Sequence, residues 1–256
     1  MIVVFFVASC LVGRGVEDPS PGLAPIIQHV EERAKLEADN DRTFDQRYSY
    51  SREKITEFRN GAGQLKKRDD KTSAHQPNPG SAAPAPVAKP DAAPQKSEGV
   101  TDTHSNVHGQ VFKKNDFLLN ENLLNRFQLK LAGQELINGR PTWILAFIPA
   151  DKQPPEKNLK DRFINKAAGR MWVDATEYSL VRLDMHLTKP VNVALGLAGA
   201  VWKFNYGFER RRTDDGLWFT HQVDWHLEGR EVILRRTVDY HEETRDLHKV
   251  NSAKAI

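Results

Sequence analysis

Three successive runs between Trp202 and Tyr240 alternate apolar and polar residues, the pattern of strands with one buried and one wet face. Short glycine-containing joints at residues 214–216 and 228–230 separate the runs, and joints of this kind close hairpins. The pattern therefore predicts a three-stranded antiparallel meander with an apolar inner face. In this register Trp218 falls on the wet face and His221 on the apolar one.

Earlier runs predict more strands. Asn138 and Gly139 form the strongest hairpin signal in the chain, between alternating residues 127–131 and an apolar run at 142–148. Because that run is apolar on both faces, it is predicted to pass through the middle of the structure. Residues 169–174 and 181–187 predict a further strand pair.

Helical signals are few and lie mostly in the first half of the chain. Leu23, Ile26, Ile27, Val30 and Ala34 recur at helical spacing, which predicts an amphipathic helix. A weak hairpin follows, with Phe44, Tyr48 and Tyr50 in its first strand and a turn at 60–63. Asp116 is predicted to cap a short helix, and residues 158–163 to form one helical turn.

Three sets of apolar side chains on the predicted strands are candidates for binding a hydrophobic ligand. They share one face of each strand, so they either fill a core or line a cavity. The candidates are Trp143, Leu145 and Phe147; Val181, Leu183 and Met185; and Trp202, Phe204 and Trp225.

The domain organisation follows from shifts in composition. Residues 71–108 hold six prolines among Ala, Ser, Lys and Asp, so they are predicted to be a disordered insertion. A single domain is predicted over residues 23–250, preceded by a tether at 11–22 and followed by a tail at 251–256.

The apolar residues 1–12 are predicted to be a targeting segment. Val7, Ala8, Ser9 and Cys10 resemble the bacterial lipobox, which implies lipid attachment at Cys10. The alternatives are an ordinary signal peptide cut near the same place, or a stray apolar tail.

Composition and motifs exclude several classes of protein. The net charge of +3 comes from basic residues scattered among acidic ones, so we predict no nucleic-acid partner. Cys10 is the only cysteine, which rules out an intrachain disulfide. His221, the Asp184–His186 pair and the run from His241 to Glu243 match no metal-ligand or catalytic spacing. The sequence therefore predicts a protein that is not an enzyme and has no metal or other cofactor.

Residues 140–149, residues 169–174 with 178–183, and the turn at 215–218 resemble the LolA and LolB type of cell-envelope protein, a lipoprotein carrier and its outer-membrane receptor. More loosely, they resemble RseB-like stress sensors. The resemblance implies an α+β fold that is mainly β: a strongly curved antiparallel sheet, or open half-barrel, with a few covering helices around a hydrophobic cavity. It also implies binding of acyl chains or a lipidated protein on the periplasmic side of the bacterial envelope. The chain departs from the carrier in its lipobox-like Cys10, which would anchor it by a lipid rather than by a spanning segment and is closer to the receptor.

Three functions remain open from the sequence. The first is a carrier or receptor for a hydrophobic ligand. The second is a sensor or interaction module on the same fold, which would contact an envelope protein through residues 193–201 or the proline-rich insertion. The third is a lipid-modifying hydrolase, which would need His221, or His186 with Asp184, beside a reactive group inside the cavity.

Overall fold

The computed structural model describes residues 22–77, 119–193 and 199–250, without the side chain of Val193. These ranges contain four helices and ten strands. The helices are α1 (Leu23–Ala34), α2 (Glu37–Arg47), α3 (Glu121–Leu124) and α4 (Leu159–Ile164). The strands are β1 (Tyr48–Asn60), β2 (Leu65–His75), β3 (Phe127–Ile137), β4 (Arg140–Pro149), β5 (Ala167–Asp174), β6 (Leu180–Leu187), β7 (Val191–Val193), β8 (Gly199–Arg212), β9 (Trp218–Glu231) and β10 (Leu234–Lys249).

All ten strands belong to one antiparallel sheet. Its order is β2-β1-β10-β9-β8-β6-β5-β4-β3, and β7 pairs with one end of β8. Within the described ranges the strands β2 and β3 form two separate edges, so the sheet does not close into a barrel. The predicted fold class is confirmed: the chain is mainly β, with one open antiparallel sheet and a few helices.

The predicted C-terminal meander forms the middle of this sheet. Strands β8, β9 and β10 have 14, 14 and 16 residues and pair in sequence order. The N-terminal hairpin joins them through β1 and β10, and the strands β3 to β6 join them through β6 and β8. By contrast, β4 lies next to the edge rather than in the middle, where its apolar run had been predicted to place it.

The predicted turn at 60–63 is confirmed, and so are two of the three turns predicted after residue 130. Asn138 and Gly139 connect β3 to β4 with φ values of 51° and 75°, and Gly216 lies in the β8–β9 turn with φ 92°. The third prediction is wrong, because β9 continues through Gly229 and turns only at Val232 and Ile233. A Cβ atom at Gly229 would come within 2.6 Å of the Ala200 carbonyl oxygen. This glycine therefore permits a close approach of two strands and does not mark a turn.

The helix α1 is confirmed, whereas α2 was not predicted. Residues 37–47 have almost no apolar stripe, and Phe44 had been assigned to a strand. Polar side chains hold α2 in place instead. The Asn40 amide donates to the Trp218 carbonyl at 2.7 Å and accepts from the Trp218 N–H at 3.0 Å. Glu37 forms a buried ion pair with Arg210 at 2.6 Å.

Two boundaries differ from the predicted ones. Strand β2 extends to His75, so residues 71–75 pair with β1 and are not part of a loop. Asn120 caps α3 by accepting from the Leu123 N–H at 3.0 Å. The predicted cap Asp116, residues 78–108 of the proline-rich insertion and most of the apolar segment between β7 and β8 lie outside the described residues.

Candidate functional site

Apolar side chains from strands β3 to β9 form one face of the sheet, which we call the inner face. They pack against Ile26 and Val30 of α1, Leu124 of α3 and Phe163 of α4. Six of the nine predicted ligand-binding residues lie on this face with 1–8% of their surface exposed. They are Trp143, Leu145, Phe147, Leu183, Met185 and Phe204. Among the described residues these positions therefore form a packed core.

A β-bulge moves Val181 away from its predicted face. One extra residue interrupts the pairing of β6 with β5 next to Trp172, so the alternation along β6 shifts there. Val181 packs with Trp172 and Trp218 in a small separate cluster, whereas Leu180 joins the inner face.

A second bulge separates Trp202 from Phe204. It lies between Val201 and Lys203 on β8, and Trp202 is left 37% exposed. The predicted position of Trp218 is wrong for the same kind of reason. An irregularity opposite Glu209 and Arg210 changes the alternation at the start of β9, and Trp218 is only 1% exposed.

Trp225, the ninth candidate, lies on a part of the inner face that remains partly exposed. It stacks on Tyr240 with ring centroids 5.2 Å apart, and Tyr206 lies 6.2 Å from Phe208 beside it. We call these four residues, Tyr206, Phe208, Trp225 and Tyr240, the aromatic strip. Tyr206, Phe208 and Trp225 contact the apolar core, so the strip continues the inner face toward solvent.

The strip ends at a charged group on β1 and β10. Glu242 accepts a hydrogen bond from the Tyr240 hydroxyl and lies 3.1 Å from Arg52 and 3.3 Å from Lys54. Burial and the bond to Glu242 raise the pKa of Tyr240 well above its usual range. One end of the strip is therefore apolar and the other carries two cations around one carboxylate.

Helix α1 covers the apolar part of the inner face with few attachments. Ile26 and Val30 are its buried residues. The Arg33 Nε donates to the Ser179 hydroxyl at 2.7 Å, and the ring of His29 lies 4.5 Å from that of Tyr178. The 12-residue helix therefore joins the sheet through apolar packing and through the side chains of His29 and Arg33.

The opposite face of the sheet bears a broad groove of about 1620 Å³. Its lining combines charged side chains, many of them paired across strands, with apolar ones, and the four residues of the aromatic strip also line it. His241 lies 2.7 Å from Asp224, and His226 lies 2.6 Å from Asp239. Arg182 contacts Asp184 at 2.6 Å and stacks over Trp172. The groove therefore combines charge-paired and apolar surface.

The residues considered for catalysis do not converge. His221 is mostly buried and lies 3.8 Å from Glu243; burial and the nearby Arg211 lower its pKa. Asp184 pairs with Arg182, whereas His186 is exposed on the same strand. In residues 22–77, 119–193 and 199–250, no group of three or more His, Cys, Asp or Glu side chains could hold a metal ion.

Two carboxylates that the sequence analysis did not single out organise the turns at one end of the sheet. Asp174 has no exposed surface, accepts two hydrogen bonds from Arg140 at 2.6 and 3.0 Å, and accepts backbone N–H bonds from Thr176 and Glu177. Burial alone would raise its pKa, but these donors lower it overall. Hydrogen bonds from Lys249, Tyr48 and Thr213 likewise hold the pKa of Asp215 far below its usual range. In the sequence, the predicted turn at 214–216 pointed to Asp215, and no motif pointed to Asp174.

No protein-family profile and no curated protein sequence matches the chain. Solved structures similar to it include an outer-membrane lipoprotein-sorting protein domain from Vibrio parahaemolyticus, at 11% identity and TM-score 0.31, over 88% of this chain and 95% of that one. A LolA superfamily protein from Nitrosomonas europaea is similar at 11% identity and TM-score 0.29, over 87% and 94% of the two chains. The MucA/MucB complex of Pseudomonas aeruginosa is similar at 8% identity and TM-score 0.23, over 87% and 99%.

These structures include the LolA-like and RseB-like proteins named from the sequence. Cys10 lies outside the described residues. None of the described helices has the length and apolarity needed to cross a membrane.

Proposed function

We propose that the chain binds the acyl chains of a lipid or of a lipidated protein, as a carrier or receptor on the periplasmic side of the bacterial envelope. The observation that supports this function is the aromatic strip, which continues the apolar inner face out to solvent. An acyl chain on Phe208 and Trp225 would enter the interior as α1 moves aside, and an acidic head group would meet Arg52 and Lys54. The latter contact suits an amphipathic ligand.

Titration with a fluorescent fatty acid, anthroyloxy-labelled palmitate, tests this proposal. Phe208→Ala and Trp225→Ala should each weaken binding about tenfold or more, since each removes apolar contact area worth roughly 1.5–3 kcal/mol when fully buried. Leu65→Ala is the matched control, because Leu65 is 47% exposed on β2 and does not line the groove that contains Phe208 and Trp225. It should leave the affinity unchanged.

The second proposal is a sensor or interaction module on the same fold. It is favoured by the tight packing of the six buried candidates, each of which has at most 8% of its surface exposed to a ligand. A wild-type chain that binds no fatty acid at any tested concentration would reject the carrier function and favour this module. Equal binding by wild type and by both aromatic-strip variants would place the ligand elsewhere.

A further inference from the structure

The hairpin of β9 and β10 ends in three consecutive apolar residues that point into solvent. Val232, Ile233 and Leu234, which we call the tip, are 55%, 82% and 60% exposed. They are the most prominent run of exposed large apolar side chains among the described residues, where the others occur singly. Three adjacent exposed residues at the end of a hairpin form a contact surface rather than ordinary scatter.

The backbone of the tip is unfavourable for these residue types. The turn consists of Val232 and Ile233, between the paired residues Glu231 and Leu234. Val232 has φ 53°, a region that a β-branched residue adopts only with strain and that Gly, Asn or Asp adopts readily. The sequence therefore places large apolar side chains where small polar ones would fold more easily.

Aromatic and cationic side chains surround the base of the tip. Trp202, 37% exposed, carries the Arg235 guanidinium 5.9 Å from its ring centroid. Its neighbours Val201 and Lys203 pair with Gly229 and Glu228, so it lies roughly 10 Å along the strands from the turn. Residues 199–203 and 228–236 together hold four basic and two acidic side chains, Lys203, Arg230, Arg235, Arg236, Glu228 and Glu231.

We infer that the tip docks on an anionic phospholipid surface. The apolar residues enter the boundary between head groups and acyl chains, about 5–10 Å deep, which is the depth reached by interfacial segments. Trp202 then lies at the level of the head groups, where tryptophan is favoured. The surplus of two positive charges attracts the lipid phosphates, and the arginine side chains extend toward them. This surface is separate from the inner face and does not depend on an acyl ligand.

Vesicle flotation tests the inference with the full chain carrying Cys10→Ser, which removes any lipid anchor. Vesicles of equal parts phosphatidylglycerol and phosphatidylcholine are compared with phosphatidylcholine alone. The triple variant Val232→Ser, Ile233→Ser, Leu234→Ser should bind the anionic vesicles at least about tenfold more weakly. Leu136→Ser is the matched control, since Leu136 is 69% exposed on the edge strand β3. This variant should bind the vesicles like the parent. Arg235→Gln with Arg236→Gln should weaken binding and reduce its dependence on salt.

Insertion is measured with an environment-sensitive dye on Ile233→Cys in the same Cys10→Ser background. Its emission should shift to the blue with anionic vesicles, whereas the dye on Leu136→Cys should not respond. A parent chain that binds neither vesicle, or a triple variant that binds as tightly as the parent, overturns the inference. If the parent instead self-associates in sedimentation and the triple variant does not, the tip is a contact between two copies of the chain and the membrane assignment is wrong.

Discussion

At the scale of single residues, the β8 bulge provides a direct test of the packing, because it separates two aromatic side chains that strict alternation would place together. Phe204 is 3% exposed within the core and Trp202 is 37% exposed. Phe204→Ala should lower the free energy of unfolding by roughly 3–5 kcal/mol, since the truncation leaves a cavity. Trp202→Ala should lower it by less than about 1 kcal/mol. Urea denaturation of both variants measures the difference, and equal losses would mean that Trp202 also packs in the core.

The carboxyl group of Asp174 makes the stability of the fold depend on pH in the acid range. Its pKa is lower in the folded than in the unfolded chain, so it stabilises the fold above the ordinary carboxyl pKa of about 3.9. That stabilisation is lost as the pH falls through the lower, folded-state pKa. Asp174→Asn should cost about 2 kcal/mol at pH 7, because Arg140 loses the nearer of its two carboxylate partners, and the difference from wild type should shrink in strong acid.

Thermal unfolding of wild type and Asp174→Asn at a series of pH values from neutral to acid measures this difference in stability. Asp184→Asn is the control, since Asp184 and Arg182 form a surface pair with 46% and 42% of their side chains exposed. Its loss should stay within about 1 kcal/mol. A constant difference between Asp174→Asn and wild type down to the lowest pH would show that the carboxyl charge is not what stabilises the turn.

At the scale of elements, the residues of the β9–β10 turn affect both the stability of the fold and the proposed membrane contact. Val232→Gly should raise the free energy of unfolding by about 1 kcal/mol, because glycine adopts the positive φ without a steric penalty. Ile233→Gly is the control. Since Ile233 has no positive φ, that change should be neutral or destabilising. Guanidinium denaturation compares them, and a Val232→Gly variant less stable than the Ile233→Gly one would contradict the strain.

Many of the helices, strands and turns could be predicted because their sequence signals are local. The Asn138-Gly139 turn, the alternation after Phe204 and the spacing of Ile26 and Val30 each depend on a few neighbouring residues. The bulges could not be predicted in this way, since the alternation of residue types does not show that Val181 and Trp202 are left without a partner on the neighbouring strand. Each of these two residues is the extra residue of its bulge, which is why two of the nine ligand candidates lie away from the inner face.

Helix α2 was missed for a different reason. A periodic apolar stripe is the main helical signal in a sequence, and α2 replaces most of it with polar contacts to residues more than 170 positions away. Asn40 uses its amide to pair with the backbone of Trp218 much as a neighbouring strand would. Such long-range pairs leave no trace in local spacing.

At the scale of the whole molecule, the proline-rich insertion is predicted to be dispensable. Replacing residues 78–108 with a short Gly-Ser bridge should leave the thermal midpoint within a few degrees of wild type, since the sequence there holds hardly any large apolar side chain for the core. A matched deletion of 71–108 also removes five β2 residues that pair with β1, and should lower the midpoint further. Equal midpoints would mean that the end of β2 adds nothing to stability.

Cys10 is predicted to attach the molecule to a membrane through lipid. A fatty-acid analogue supplied to a bacterial host should label the native chain and not Cys10→Ala, because the chain has only that cysteine. Detergent partitioning of the two chains provides a second readout. Equal labelling of both chains, or of neither, would reject the anchor.

An open sheet leaves backbone donors and acceptors along both of its outer strands, where a second molecule could add itself strand by strand. The two edge strands, β2 and β3, disfavour such pairing in different ways. Strand β2 carries six consecutive charged residues from Lys66 to Lys71. Pairing β2 with the β2 of a second molecule would bring like charges together or remove charged side chains from water, and both are unfavourable. Strand β3 instead has a register shift at Gly133, where φ is 138°, so it presents no straight ladder. Resistance to fibrillar aggregation should therefore depend on a few border positions, and much less on the modest charge of the whole chain.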